Sequence, residues 1–94
     1  MLHSHEIWNI IQSHMPRGQW ILLGNIYDLV EHFGNLDAED LKPQAPSHNI
    51  PKWKRNVRNV LQRKKNIEIQ WDGNAKYRLS ITQISYFWEE LPNK

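Results

Sequence analysis

Arg55, Asn59 and Gln62 fall at i, i+4 and i+7, which places them on one stripe if the segment after Pro51 is helical. Each can make two hydrogen bonds at once to the edge of one nucleobase. A guanidinium matches guanine O6 and N7, and a carboxamide matches adenine N6 and N7. Lys52, three residues before Arg55, adds a cation that can reach either a base or a phosphate. Lys54, Arg58, Arg63, Lys64 and Lys65 lie nearer the flanks of that stripe, where cations hold phosphates and set register without reading sequence. Lys76 and Arg78 follow in a segment of alternating polarity and extend the basic surface. Base contacts are therefore expected from Lys52, Arg55, Asn59 and Gln62. Backbone contacts are expected from Lys54, Arg58, Arg63, Lys64, Lys65, Lys76 and Arg78.

The overall charge hides this pattern. The chain has 94 residues with 12 Lys+Arg and 10 Asp+Glu, a net charge of +2. Divided along the chain, residues 1–50 carry −4, residues 51–80 carry +7 and residues 81–94 carry −1. Such asymmetry points to a polyanionic partner. A charged face is often only a solvated face. Here Asn and Gln interleave with Arg and Lys on the same side, which favours recognition.

Other chemistry has little support. A domain of this length buries only about 60–65% of its unfolded surface, which leaves little to wall a substrate cleft. Asp28, Asp37 and Asp40-Leu41-Lys42 faintly resemble a nuclease centre, but they fall in a helix and a loop rather than on strands around a metal. His3-Ser4-His5-Glu6 reads as a chain terminus rather than a metal site, and His14, His32 and His48 as surface residues. The sequence has no Cys, which excludes disulfides and thiolate metal sites and is compatible with a cytoplasmic setting. No apolar run approaches the roughly 18 residues of a membrane span. No catalytic residue, metal ligand or cofactor is expected.

The elements that must position the basic residues follow from hydrophobic period. Ile7, Trp8, Ile11 and Met15 predict a first helix over about His5 to Met15, with Ser4 as cap. Trp20-Ile21-Leu22-Leu23 reads as a short strand or an extended segment docked on the core. Ile26, Leu29, Val30 and Phe33 predict a second helix, capped by Asn25 with Asp28 and stopped by a left-handed Gly34. Residues 35–50 are loop, with one helical turn at Asp37–Leu41. The third helix begins near Pro51 and buries Trp53, Val57, Val60 and Leu61, opposite the Arg55 stripe. It ends near Asn66, which tolerates the left-handed conformation. Ile67–Trp71 and Lys76–Ile81 alternate around the turn Asp72-Gly73-Asn74-Ala75, the signature of a β-hairpin. Trp8, Trp20 and Trp53 are expected in the core. Trp71 is weighed between stacking on a base or sugar and packing beside Ile67 and Ile69, with core favoured. In the tail, Ile84, Phe87, Trp88 and Leu91 fit one helical stripe. The cluster Tyr86, Phe87 and Trp88 would cover the core or meet another domain or subunit.

Three helices followed by a hairpin give an α+β fold with the layout of a winged helix-turn-helix over residues 4–81, and a C-terminal extension over 82–94. The stretches Gly18–Leu23 into Ile26-Tyr27, Pro51–Gln62, and Gly73 to Tyr77-Arg78-Leu79 resemble winged-helix DNA-binding domains attached to restriction endonucleases. The likeness is greatest to the accessory domains of methylation-dependent enzymes, including readers of methyl-adenine. It covers about residues 5–81 and departs at Asn66, where such domains often carry Gly. It implies double-stranded DNA as partner, base readout by the third helix, wing contacts to the backbone, and a nuclease domain or partner elsewhere. A winged helix also serves as a protein–protein module, here through the basic face and the aromatic tail. Target sequence and oligomeric state are not encoded in any motif.

Overall fold

The most basic helix of the chain also buries one of its longest apolar stripes, and the rest of the domain is arranged around that stripe. The computed structural model describes residues 1–43 and 49–81. In chain order the elements are α1 (Ser4–His14), β1 (Trp20–Leu22), α2 (Leu23–Phe33), α3 (Ala38–Leu41), α4 (Lys52–Lys64), β2 (Ile69–Trp71) and β3 (Lys76–Leu79). Among the described residues they form a small α+β domain with four helices and a three-stranded antiparallel sheet in the order β1-β3-β2. Trp53, Val57, Val60 and Leu61 of α4 are buried, as their spacing predicts. They share one core with Ile7 and Ile11 of α1 and with Ile26 and Val30 of α2. From the sheet, Ile69, Tyr77 and Leu79 turn into the same core.

The hairpin forms with Trp71 opposite Tyr77 and Ile69 opposite Leu79. Its turn is held by Asp72, whose Oδ1 accepts from the backbone N–H of Asn74 at 2.8 Å and of Lys76 at 3.2 Å. β1 pairs with the far side of β3, placing Trp20 opposite Arg78 and Leu22 opposite Lys76. The short apolar run after Gly18 is therefore a strand of the same sheet.

Several local expectations are corrected. Strand β2 starts at Ile69, not Ile67, because Asn66 takes a left-handed φ of 67° and residues 66–68 turn before pairing begins. Ile67 is consequently exposed, and so is Ile81 beyond the end of β3. Trp71 does not enter the core: it lies on an edge strand and is 39% exposed. Trp20 is likewise exposed, because in β1 only Ile21 faces inward and its neighbours must face out. Helix α1 begins one residue early, with His3 as cap, and Glu6 Oε1 accepts from the His3 N–H at 2.7 Å. Helix α2 starts at Leu23 rather than after an Asn25 cap. The Leu23 N–H is satisfied across the domain by the Ala75 carbonyl at 2.8 Å, so no side-chain cap is needed there. Gly34 is not left-handed but extended, at φ −94° and ψ 159°. A Cβ there would lie 2.7 Å from the Val30 carbonyl oxygen and 3.2 Å from Leu2 Cδ2, so glycine is required by close approach. The tail residues Ile84, Tyr86, Phe87, Trp88 and Leu91 lie outside the described residues.

Helix α3 is the single turn anticipated at Asp37–Leu41, and its buried Asp40 ties the N-terminus to the domain. The Leu2 N–H donates to both Asp40 carboxylate oxygens, at 3.1 and 3.0 Å, and the Asp37 N–H donates to Oδ2 at 3.2 Å. Asp37 returns the bond by accepting from the Asp40 N–H at 3.0 Å. Removing this carboxylate leaves the buried Leu2 N–H and the part-buried Asp37 N–H without their acceptor. Asp40→Ala is expected to lose about 2 kcal/mol of stability, measured by urea unfolding. A loss below about 0.5 kcal/mol would show that these bonds hold nothing together.

Candidate nucleic-acid interface

The outward side of α4 is built by exclusion. With Trp53, Val57, Val60 and Leu61 committed to the core, the helical period leaves Arg55, Asn59 and Gln62 facing solvent, and all three are exposed. Pro51 caps the helix at φ −63° and ψ 151°, and the Lys52 N–H donates to the Lys42 carbonyl at 2.8 Å. At the other end Asn66 reverses the chain and donates its N–H to Ile69 O at 2.8 Å. Both ends of the helix are thereby tied to the domain.

Arg55, Arg58, Asn59 and Gln62 line one shallow concavity of about 190 Å³. Three of the four side chains expected at bases are thus brought together, and Arg58, expected at the backbone, joins them. The Arg58 charge also acts on the Tyr27 and Tyr77 phenols. Burial pushes both phenols above their ordinary value, while the Arg58 charge pulls the other way.

Lys52 is not in that group. Its ammonium pairs with Glu39 of α3, which also holds Lys42 at 3.2 Å. The Lys52 bond, and then Lys42, hold the Glu39 carboxyl below the usual carboxylate range. Lys52 therefore fastens α3 to the start of α4, a role that local sequence spacing does not reveal.

The flanking cations have specific seats. Lys54 lies over Tyr27 and Trp53, with Nζ 5.1 and 5.7 Å from the ring centroids. Lys64 lies over Trp8 at 4.8 Å and approaches Glu68 at 3.9 Å. Lys65 lies over Trp71 at 5.1 Å, and that indole in turn stacks on Tyr77. Arg63 donates to Ser4 Oγ at 3.0 Å. Arg78 sits over Trp20 at 4.8 Å and donates its Nε–H to Gln70 Oε1 at 2.7 Å. Lys76 is exposed beside the hairpin turn. The spacing of these cations along the chain gave no sign of the aromatic rings beneath them. The parity of β1 was an available signal for Trp20; the Trp8 and Tyr27 pairings had none.

A second concavity of about 350 Å³ lies between α1 and the end of α4. Trp8, Val60 and Ile67 supply its apolar lining, with His5, Arg63 and Lys64 beside them. No helix among the described residues is long and apolar enough to cross a membrane. Comparisons of the chain with protein-family models, with curated proteins and with solved structures found no match.

The Lys52–Glu39 pair has a direct test. In Lys52→Ala the Glu39 carboxyl is expected to titrate at higher pH than in the parent, followed by carboxyl-carbon NMR. An unchanged midpoint would show that the ammonium does not hold Glu39.

Proposed function

We propose that this chain is a winged-helix domain that binds double-stranded DNA, with α4 in the major groove and the β2–β3 hairpin as the wing. The observation that carries this reading is the concavity on the solvent side of α4, lined by Arg55, Arg58, Asn59 and Gln62. These are side chains that can bond base edges, on a helix anchored at both ends and buried along its opposite side. In this reading Arg55 reads guanine and Asn59 and Gln62 read adenine. Arg58 acts at a base or at the adjoining phosphate. Lys54, Arg63, Lys64 and Lys65 hold the backbone along the helix, with Lys76 and Arg78 at the wing. Lys52 is removed from the base-reading set, because its ammonium pairs with Glu39.

The resemblance to accessory domains of methylation-dependent restriction endonucleases extends the proposal. The domain would select a site for a nuclease carried by another segment or partner, and duplexes containing N6-methyladenine are the first modified probes to use. A second reading as a protein-binding module is favoured by the apolar concavity at Trp8, Val60 and Ile67, whose neighbouring cations suit a partner with apolar and acidic side chains.

Fluorescence anisotropy with labelled duplexes separates the two. Duplexes selected from a randomised pool, methylated and unmethylated, are expected to bind, and about six phosphate contacts give a log–log salt slope near −5. Arg55→Ala combined with Asn59→Ala is expected to cost at least about 2 kcal/mol on the preferred sequence and to flatten sequence preference. Lys64→Ala is expected to weaken all sequences alike. Glu39→Gln, by releasing Lys52, is expected to tighten duplex binding about two- to fivefold at low salt. Absence of duplex binding by the parent protein even at low salt would overturn the DNA reading.

A further inference from the structure

The sheet has a second face that the core does not use. Its inner side carries Ile69, Tyr77 and Leu79 into the interior. On the outer side the register sets Trp20, Arg78 and Gln70 in one row across all three strands, with Leu22 and Lys76 in the next. Trp20 is 42% exposed and Leu22 47% exposed. The Arg78 guanidinium is immobilised twice, by its stack on Trp20 and by its Nε–H bond to Gln70. With Nε engaged, its two terminal nitrogens form the remaining donor edge. Among the described residues no carboxylate forms a salt bridge with Arg78 or Lys76. Arg78 comes from the central strand and lies over the Trp20 ring, and Trp20, on the β1 edge strand, keeps 42% of its surface exposed.

We infer that this outer face is a binding platform for single-stranded nucleic acid, with an unpaired base stacked on Trp20 and the adjoining phosphates held by Arg78 and Lys76. Charge and shape both select this ligand. Among the described residues the cations of the face have no salt-bridge partner, and every nucleotide supplies a phosphate. A sheet surface offers a plane, and every base has a π-face to lay against an aromatic ring. An acidic peptide would satisfy the cations but would leave the exposed indole without a planar partner. The platform takes no residue from α4; it shares Arg78 and Lys76 with the wing of the duplex reading, and its Trp20 stack does not depend on duplex binding.

The test is anisotropy of fluorescein-labelled oligodeoxythymidylate with the full chain at low salt. The parent protein is expected to bind it. Trp20→Ala is expected to weaken binding about tenfold, while Trp20→Phe, which keeps a ring, retains most of the affinity. Arg78→Lys, which keeps the charge and loses the planar stack, is expected to weaken it severalfold. Trp20 is exposed, so the thermal midpoint of Trp20→Ala should match the parent. If it does not, Trp20→Phe and Arg78→Lys carry the comparison. Arg55→Ala with Asn59→Ala, read in parallel, is expected to lose duplex affinity and keep oligonucleotide affinity. Three results would overturn the inference: no oligonucleotide binding by the parent, equal binding by the parent, Trp20→Ala and Arg78→Lys, or loss of oligonucleotide binding in the Arg55/Asn59 double variant. Tighter binding of a polyglutamate peptide with the same Trp20 dependence would also overturn it, by assigning the face to an acidic protein.

Discussion

Everything in this domain depends on the two-sidedness of α4. One side of the helix must leave water, because Trp53, Val57, Val60 and Leu61 form a continuous apolar stripe. Burying four such side chains is worth about 1.5–3 kcal/mol each before conformational entropy is set against it. The helix cannot rotate to hide its charges without exposing that stripe. The cations of residues 52–65 are thus forced outward by the same interaction that closes the core. The basic surface and the hydrophobic core are two consequences of one helical phase.

How those cations are held is a separate matter. Lys54, Lys64, Lys65 and Arg78 each lie over an aromatic ring supplied by another element or by a neighbouring position. An exposed cation–π contact contributes only about 0.5–1 kcal/mol, but it restrains a long side chain that would otherwise lose rotamer freedom on binding. It leaves the charge in place, unlike a salt bridge. Lys52 shows the contrast: Glu39 neutralises it and uses it to pin α3 against α4. The chain places its acidic excess mostly in the first half, yet among the described residues only Glu39 and Glu68 form salt bridges with the cations of α4, at its two ends.

Much of the fold was legible in local pattern. The i, i+4, i+7 and i+8 spacing of the α4 stripe, the alternation of Tyr77 and Leu79, the Asp72–Ala75 turn and the left-handed Asn66 all appear as read from the residues. Local pattern failed where a distant partner decides the outcome. Helix α2 begins without its expected cap because the Ala75 carbonyl, far along the chain, takes the Leu23 N–H. Gly34 reads as a left-handed stop, yet it is an extended residue held close to Leu2. Trp20 and Trp71 read as core because tryptophan is apolar, and both sit on edge strands with their rings against cations.

The candidate site divides along the same line. The sequence by itself determined which side of α4 faces water and that Arg55, Asn59 and Gln62 share it, because a helical period is a local property of the backbone. It also determined that the charge would be concentrated in residues 51–80, since charge is carried by composition. Only the tertiary structure decided that Arg58 joins the concavity, that Lys52 is withdrawn by Glu39, and that Arg78 lies over Trp20 beside Gln70. These depend on which side chains meet across elements. That follows from strand register and packing, and no spacing along the chain contains it.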